Sequence, residues 1–249
     1  MIYREYLVMR KAIAWFAGIV LVFMIIIPAA SHNNGEINLE INNAIRYSEI
    51  ANGAAWLAAI FASIFGVALG NASREAARVL WVLPAPRWKL ALQVIAVDLS
   101  GATVAFACVC ALYLAVARLR FGWNLYGTPS ATDITMALAT VYATYGWSAL
   151  IGMLGRRMSY AGIIALPFLM IWMILAQSQS AATAILRAAL AANPFAVYNA
   201  GLVAVSSAGL DAWPSLQWLG TQATPALFAI AVVTCGLAVA LWQRAQVIN

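Results

Sequence analysis

The sequence predicts an all-α integral membrane protein that forms a single domain over residues 1–249. Of the 249 residues, 65% are hydrophobic and only 9% are charged, whereas about a quarter of a typical soluble domain is charged. The apolar residues form six runs, each close to the roughly 20 residues that an α-helix needs to cross a bilayer. These runs cover residues 12–30, 51–69, 90–117, 134–154, 158–176 and 223–242. Such long continuous runs do not fit the alternating strands of a membrane β-barrel, so we expect helical spans.

The first run has two interpretations. Arg4, Arg10 and Lys11 precede an apolar stretch that ends in Pro28-Ala29-Ala30-Ser31, which is also the pattern of a secretory signal. The stretch is long enough to span the bilayer, however, so we expect an uncleaved anchor and count it as the first span.

The basic residues predict the orientation, because Lys and Arg are enriched in cytoplasmic loops. With the N-terminus inside, ten of the 14 basic residues fall on the cytoplasmic side and four fall on the other. The inner ones are Arg4, Arg10, Lys11, Arg74, Arg78, Arg87, Lys89, Arg156, Arg157 and Arg244, and the outer ones are Arg46, Arg118, Arg120 and Arg187. We therefore expect both termini in the cytoplasm, and basic loops facing anionic lipid explain the net charge of +6 without a nucleic-acid partner.

The first outer loop, residues 31–50, is polar, and it has room for a short helix around 41–47. In the second span, Gly66-Val-Ala-Leu-Gly70 places two glycines one turn apart, which allows a close helix approach. That approach is either ordinary packing inside the bundle or a dimer seam. Cys108, Cys110 and Cys235 lie within apolar runs and are interpreted as small core residues, without a disulfide or metal role.

The second inner loop carries a different pattern. Residues 73–84 alternate charged and apolar side chains at helical spacing, and Pro84 and Pro86 end the helix. This predicts a short amphipathic helix at the cytoplasmic surface, which either rests on lipid headgroups or docks onto a protein partner.

The third span contains the one acidic residue within the apolar runs, Asp98. An acid inside a membrane is costly to bury and therefore raises a functional hypothesis, here a proton or cation site. The structural alternative, which we favour, pairs Asp98 with Arg156 or Arg157, or with nearby Ser100 and Thr103.

Between the last two spans, residues 181–192 and 196–207 are apolar but too short to cross, and Asn193-Pro194 separates them. This predicts a re-entrant pair of half-helices over about 181–207 that dips into the outer leaflet.

Several kinds of chemistry are absent from the sequence. Neither Lys11 nor Lys89 lies in a glycine-rich phosphate-binding loop, so the chain carries no ATP site of that kind. The single histidine, His32, excludes a two-histidine zinc motif. We therefore expect neither an enzyme nor a cofactor-binding chain.

The stretch from Arg74-Glu75 through Leu83-Pro84-Ala85-Pro86-Arg87-Trp88 resembles the coupling helix of the type-2 permease subunits of ATP-binding-cassette (ABC) exporters. Six spans, the short basic connection Gly155-Arg156-Arg157 and the Asn193-Pro194-Phe195 break follow in the order of that family. Two details differ, because Glu75 alone remains of the acidic start and Ala76-Ala77 replaces the Gly-Thr-Leu that often follows it.

The resemblance implies a transport subunit in the cell inner membrane whose ATP and Mg are bound by a separate ATPase subunit. Two permease chains, identical or related, would pair with two such ATPases, and the coupling helices would pass ATP-driven movement to spans one, two and five. It assigns contact with the ATPase to the segment residues Arg74, Glu75, Arg78, Val79, Trp81, Leu83, Pro84 and Arg87.

Two other functions fit the pattern. A non-transporting membrane scaffold or assembly factor would use the inner helix only to recruit a partner. An ion-coupled secondary transporter would use Asp98, although the sequence shows neither a repeated half nor further acids within its spans. The nature of the transported substrate is left open by these residues.

Overall fold

A computed structural model of the chain describes residues 10–19, 44–79, 87–121, 124–126, 131–154, 190–205 and 222–244. These residues form six helices and two short strands: α1 (residues 10–19), β1 (Ala44–Arg46), α2 (Tyr47–Val79), α3 (Arg87–Phe121), β2 (Asn124–Tyr126), α4 (Ala131–Leu154), α5 (Pro194–Val205) and α6 (Ala223–Arg244). The predicted helical class is confirmed.

Four of these helices are long and apolar enough to cross a membrane, which identifies a multi-pass membrane protein. Their apolar stretches are Ala51–Leu69, Trp88–Ala115, Ala131–Met153 and Ala223–Gln243. They correspond to the second, third, fourth and sixth predicted spans. Of the predicted first span, the described part reaches only residue 19, and the predicted fifth span at 158–176 lies outside the described residues.

The long helices α2, α3 and α4 alternate in direction. Asp98 on α3 contacts Tyr145 on α4, and Thr103, further along α3, contacts Tyr142, earlier on α4. Gly53 near the start of the α2 span faces Tyr113 near the end of α3. Because α3 is antiparallel to both of its neighbours, α2 and α4 point the same way.

α6 is parallel to α4. Tyr142 packs edge-on against Phe228, with ring centroids 6.3 Å apart, and one turn further along α4, Gly146 faces Ala231 and Thr234. The helix α5 runs against this direction, since its later residue Gly201 lies beside Met136 near the start of α4.

The core is centred on α4, which packs against α2, α3, α5 and α6. Small residues along α2, such as Ala58 and Ala62, are fully buried and allow α2 to approach α4 closely. A Cβ on Gly66 would lie 2.6 Å from the carbonyl oxygen of Tyr145. Of the two interpretations of the glycine motif, packing inside the bundle is the one that holds for Gly66.

Two regions differ in detail from the sequence-based prediction. Residues 44–46, where the sequence predicted a short helix, form a strand that pairs in parallel with residues 124–126. The two strands can meet because one precedes the start of α2 and the other follows the end of α3, and these two helix ends lie side by side. Residues 73–79 do not start a separate helix. They continue α2 to Val79, since the sequence contains no proline between the second span and Pro84.

α1 packs against the middle of the α2 and α3 spans. The ring of Phe16 lies 4.9 Å from that of Phe61 on α2, and Ala105 on α3 belongs to the same small apolar cluster. Trp15, on a different face of α1, is 75% exposed, as expected of a helix face that meets lipid.

Candidate functional site

The first polar site within the spans joins α3 to α4, and we call it the α3–α4 polar cluster: Asp98, Thr103, Tyr142 and Tyr145. Asp98 is only 4% exposed and Tyr145 is fully buried. The Tyr145 hydroxyl donates a hydrogen bond of 2.8 Å to Oδ2 of Asp98. A second bond, 2.6 Å long, joins the hydroxyls of Thr103 and Tyr142. The cluster therefore ties the two helices together at two levels.

The structure gives Asp98 a hydrogen-bond partner that the sequence did not predict. Ser100 donates to the backbone carbonyl of Val97, and Thr103 donates to that of Leu99. Arg156 and Arg157 lie outside the described residues. The partner that sequence reasoning missed is Tyr145, 47 residues further along the chain.

The bounds of the two spans in the structure place Asp98 and Tyr145 at a similar depth. Asp98 lies 17 residues before Ala115, where the apolar stretch of α3 ends, and Tyr145 lies 14 residues after Ala131, where that of α4 begins. The two residues are therefore within one helical turn of the same depth in an antiparallel pair. A buried acid needs a hydrogen-bond donor, and tyrosine supplies one on an otherwise apolar side chain.

We expect the Tyr145→Phe variant to lose about 1 kcal/mol of unfolding free energy, since interhelical hydrogen bonds in membrane proteins contribute on this scale. Reversible denaturant unfolding in detergent micelles, followed by circular dichroism, measures the change. The control is Thr135→Val, because Thr135 is exposed and its hydroxyl bonds only to carbonyls of its own helix. Equal stabilities for the two variants would contradict a stabilising role of the Tyr145–Asp98 bond.

The second polar site is the α5 break, residues 190–194, where the predicted Asn193-Pro194 interruption lies. Asn193 is fully buried and forms the N-cap of α5: its Oδ1 accepts the amide N–H of Phe195 at 2.9 Å and that of Ala196 at 3.3 Å. Pro194 occupies the first helical position, which suits its fixed φ and missing N–H.

Two tryptophans hold the α5 break from different helices. Trp147 on α4 donates its indole N–H to the carbonyl oxygen of Ala192 at 2.8 Å. Trp56 on α2 stacks flat on Phe195, with ring centroids 4.5 Å apart and planes 4° from parallel. The start of α5 is thus enclosed by α2 and α4, and sequence reasoning identified the interruption without identifying these two contacts.

The predicted ATPase-contact residues are only partly placed. Arg74, Glu75, Arg78 and Val79 lie on the last turns of α2, and Arg87 is the first residue of α3. Trp81, Leu83 and Pro84 lie outside the described residues. The structure therefore places the two ends of the segment on the helices of the second and third spans.

The part of the chain that the structure describes contains no cluster of side chains suited to bind a metal ion. No three His, Cys, Asp or Glu side chains come together there as a ligand set. Cys108, Cys110 and Cys235 are free thiols that are half-buried on α3 and α6.

Comparisons with protein-family models, with curated proteins and with solved structures found no match to this chain. Any functional assignment consequently depends on its own residues and geometry.

Proposed function

We propose that this chain is the membrane-spanning subunit of an ABC transporter, an exporter that moves substrate across the cytoplasmic membrane while a separate subunit hydrolyses ATP. The observation that carries the proposal is the continuity of α2. This helix includes the whole apolar stretch Ala51–Leu69 and then extends without interruption through residues 74–79, where the resemblance to a coupling segment begins.

A continuous helix is the physical requirement for such a lever. α2 has 33 residues, which corresponds to a length of about 50 Å at a rise of about 1.5 Å per residue. A force applied by a partner at residues 74–79 acts directly on the second span. Since α2 packs tightly on α4, the movement reaches the centre of the bundle.

The proposed topology has six spans with both termini in the cytoplasm. The parallel packing of α4 and α6 supports it, because two spans that point the same way require the chain to cross back between them. The apolar run at 158–176 has the length for that crossing. The run at 12–30 provides the first span, of which α1 forms the described beginning.

The proposed re-entrant arrangement of residues 181–207 is supported by the direction of α5. Its capped start lies beside Trp147, and its later residue Gly201 lies beside Met136, 11 positions closer to the outer end of α4. At a rise of about 1.5 Å per residue, 11 positions correspond to about 16 Å or about three turns along α4, so the start of α5 is the deeper end. This direction fits a segment that enters from the outside, turns at Asn193 and returns.

The complex in this proposal contains two permease chains, either identical or related, and two ATPase subunits that carry ATP and Mg. The segment between α2 and α3 docks onto the ATPase, with Trp81 and Leu83 as apolar anchors in a groove of that partner. The charged residues of this proposed docking surface are Arg74, Glu75, Arg78 and Arg87.

A second candidate function is an ion-coupled secondary transporter, and the burial of Asp98 is the observation in its favour. A hydrogen-bonded acid in an apolar span is a frequent component of proton pathways. An Asp98→Asn variant separates the two functions. Proton-driven transport should be lost in this variant, whereas transport by an ATP-driven exporter should continue and should still require ATP.

The test of the proposed function is an affinity purification of the tagged full-length chain from mildly solubilised membranes, followed by an ATPase assay. We expect the wild type to bring down an ATP-hydrolysing subunit. A variant with Arg78, Trp81 and Leu83 all replaced by Ala should lose at least about 90% of that partner, because truncated anchors at an interface centre typically cost 2 kcal/mol or more each.

The matched control replaces Gln243, Arg244 and Gln246 by Ala, three polar residues near the C-terminus on the same proposed side of the membrane. This control should retain the partner. If the wild type brings down no ATPase under mild conditions, the exporter proposal is rejected and a scaffold or a secondary transporter takes its place.

A further inference from the structure

The α5 break disturbs the ordinary pattern of backbone hydrogen bonds. In a continuous helix, residue 194 would donate its N–H to the carbonyl of Leu190, but proline has no N–H. The structure replaces this bond with one from the amide of Asn193 to the Leu190 carbonyl, 3.0 Å long. The break therefore supplies a substitute donor for the first interrupted bond.

The carbonyl of Ala192 loses its ordinary partner as well. In a continuous helix it would accept the N–H of Ala196, but that N–H is directed to the side chain of Asn193. The indole N–H of Trp147 donates to the Ala192 carbonyl instead. A side chain from another helix thus replaces a bond that α5 cannot make for itself.

This replacement is important because of where the break lies. Asn193 is fully buried and Ala192 beside it is half-buried, and the bilayer core offers little water to a free carbonyl, so leaving the Ala192 carbonyl without a donor is unfavourable. The bond from Trp147 consequently stabilises the break.

We propose that Trp147 is the positioning residue that seats the buried start of α5 against α4. Its hydrogen bond fixes Ala192, the neighbouring Asn193 is thereby held in place to cap α5, and Trp56 closes the opposite side by stacking on Phe195. Loss of the Trp147 bond releases the cap without unfolding the bundle, so the start of α5 has a seated and an unseated state.

The backbone amides that the cap binds can be used to measure its release. The amides of Phe195 and Ala196 are bonded to the side chain of Asn193, and the amide of Val197 is bonded to its carbonyl oxygen at 3.1 Å. Hydrogen–deuterium exchange of these three amides therefore measures how often the cap is released.

The experiment compares two Trp→Phe variants of the full chain in detergent micelles or nanodiscs. Trp147→Phe keeps an aromatic ring but removes the N–H, and we expect exchange at residues 195–197 to become roughly threefold to tenfold faster. Trp56→Phe keeps a ring that stacks on Phe195, and we expect exchange there to stay within about twofold of the wild type.

Residues 231–238 on α6 report on the bundle as a whole and should exchange at the wild-type rate in both variants. The proposal is overturned if Trp147→Phe leaves residues 195–197 as protected as in the wild type, or if both variants accelerate them equally, since ring packing then controls the cap. It is also overturned if α6 loses protection together with α5, because Trp147 then supports the whole bundle.

Discussion

Replacing Gly66 by alanine is expected to lower the unfolding free energy by about 3 kcal/mol or more, the upper range for overpacking a tight core. A Cβ at this position would lie 2.6 Å from the carbonyl oxygen of Tyr145, 2.9 Å from the amide nitrogen of Ala149 and 2.9 Å from the Cβ of Ser148. Two of these three atoms belong to the backbone of α4, which cannot rotate away, so α2 and α4 must separate.

The effect should extend beyond the site itself, because α4 also carries Tyr145 and Trp147. A displaced α4 weakens the hydrogen bond to Asp98 on one side and the bond to the Ala192 carbonyl on another. We therefore expect Gly66→Ala to cost more than the Tyr145→Phe variant, by a factor of about two or more. Denaturant unfolding in micelles measures both variants under the same conditions.

Gly236→Ala is the matched control for this prediction. Gly236 lies on an exposed face of α6, and a Cβ there would meet nothing within 4 Å. Alanine is the better helix former by about 1 kcal/mol, so this variant should be as stable as the wild type or slightly more stable. If Gly66→Ala is as stable as this control, α2 and α4 do not pack as closely as the structure shows.

The spans were predictable because the bilayer imposes a simple requirement on the sequence. The second span has the same bounds, 51–69, in the sequence pattern and in the structure. Length and continuous apolarity decide whether a helix crosses, and both can be read without knowing any neighbour. The interruption before α5 was predictable for a similar reason, since proline and a capping asparagine act locally.

The contacts between helices were not predictable in the same way. The sequence identified Asp98 as costly to bury but did not identify Tyr145, because apolar runs contain no clear periodicity that marks which face of a helix meets which neighbour. The indole of Trp147 is a similar case: in place of a backbone donor, it donates to a backbone carbonyl 45 residues away. Such partners depend on the arrangement of helices and not on local spacing.

The continuity of α2 was missed for a different reason. Charge alternation from residue 73 onward indicated a new amphipathic helix, but a change in side-chain pattern does not by itself interrupt a backbone. Residues 70–73, Gly-Asn-Ala-Ser, include no proline, and the helix passes through them to Val79. This continuity gives the proposed coupling mechanism a definite mechanical test.

For the proposed permease subunit, replacing Ala72 by proline is expected to abolish ATP-driven movement of the bundle while preserving the docking of the proposed ATPase partner. Residue 72 lies between Leu69, the end of the apolar stretch, and Arg74, the start of the proposed docking segment. A proline inside a helix costs about 3 kcal/mol or more and produces a kink, so a force on residues 74–79 is no longer passed to the span.

The measurement is hydrogen–deuterium exchange of α4 and α5 in the purified complex of this chain with the proposed ATPase, with and without ATP. The wild type should show an ATP-dependent change in exchange there, since α2 packs on α4, and the Ala72→Leu control should show the same because leucine preserves the helix. The proline variant should still purify with the ATPase but show at most about one tenth of the change, as expected when a rigid connection is replaced by a flexible one. A wild-type response in the proline variant would mean that the ATPase moves the bundle through α3 or another helix, and that α2 is not the lever.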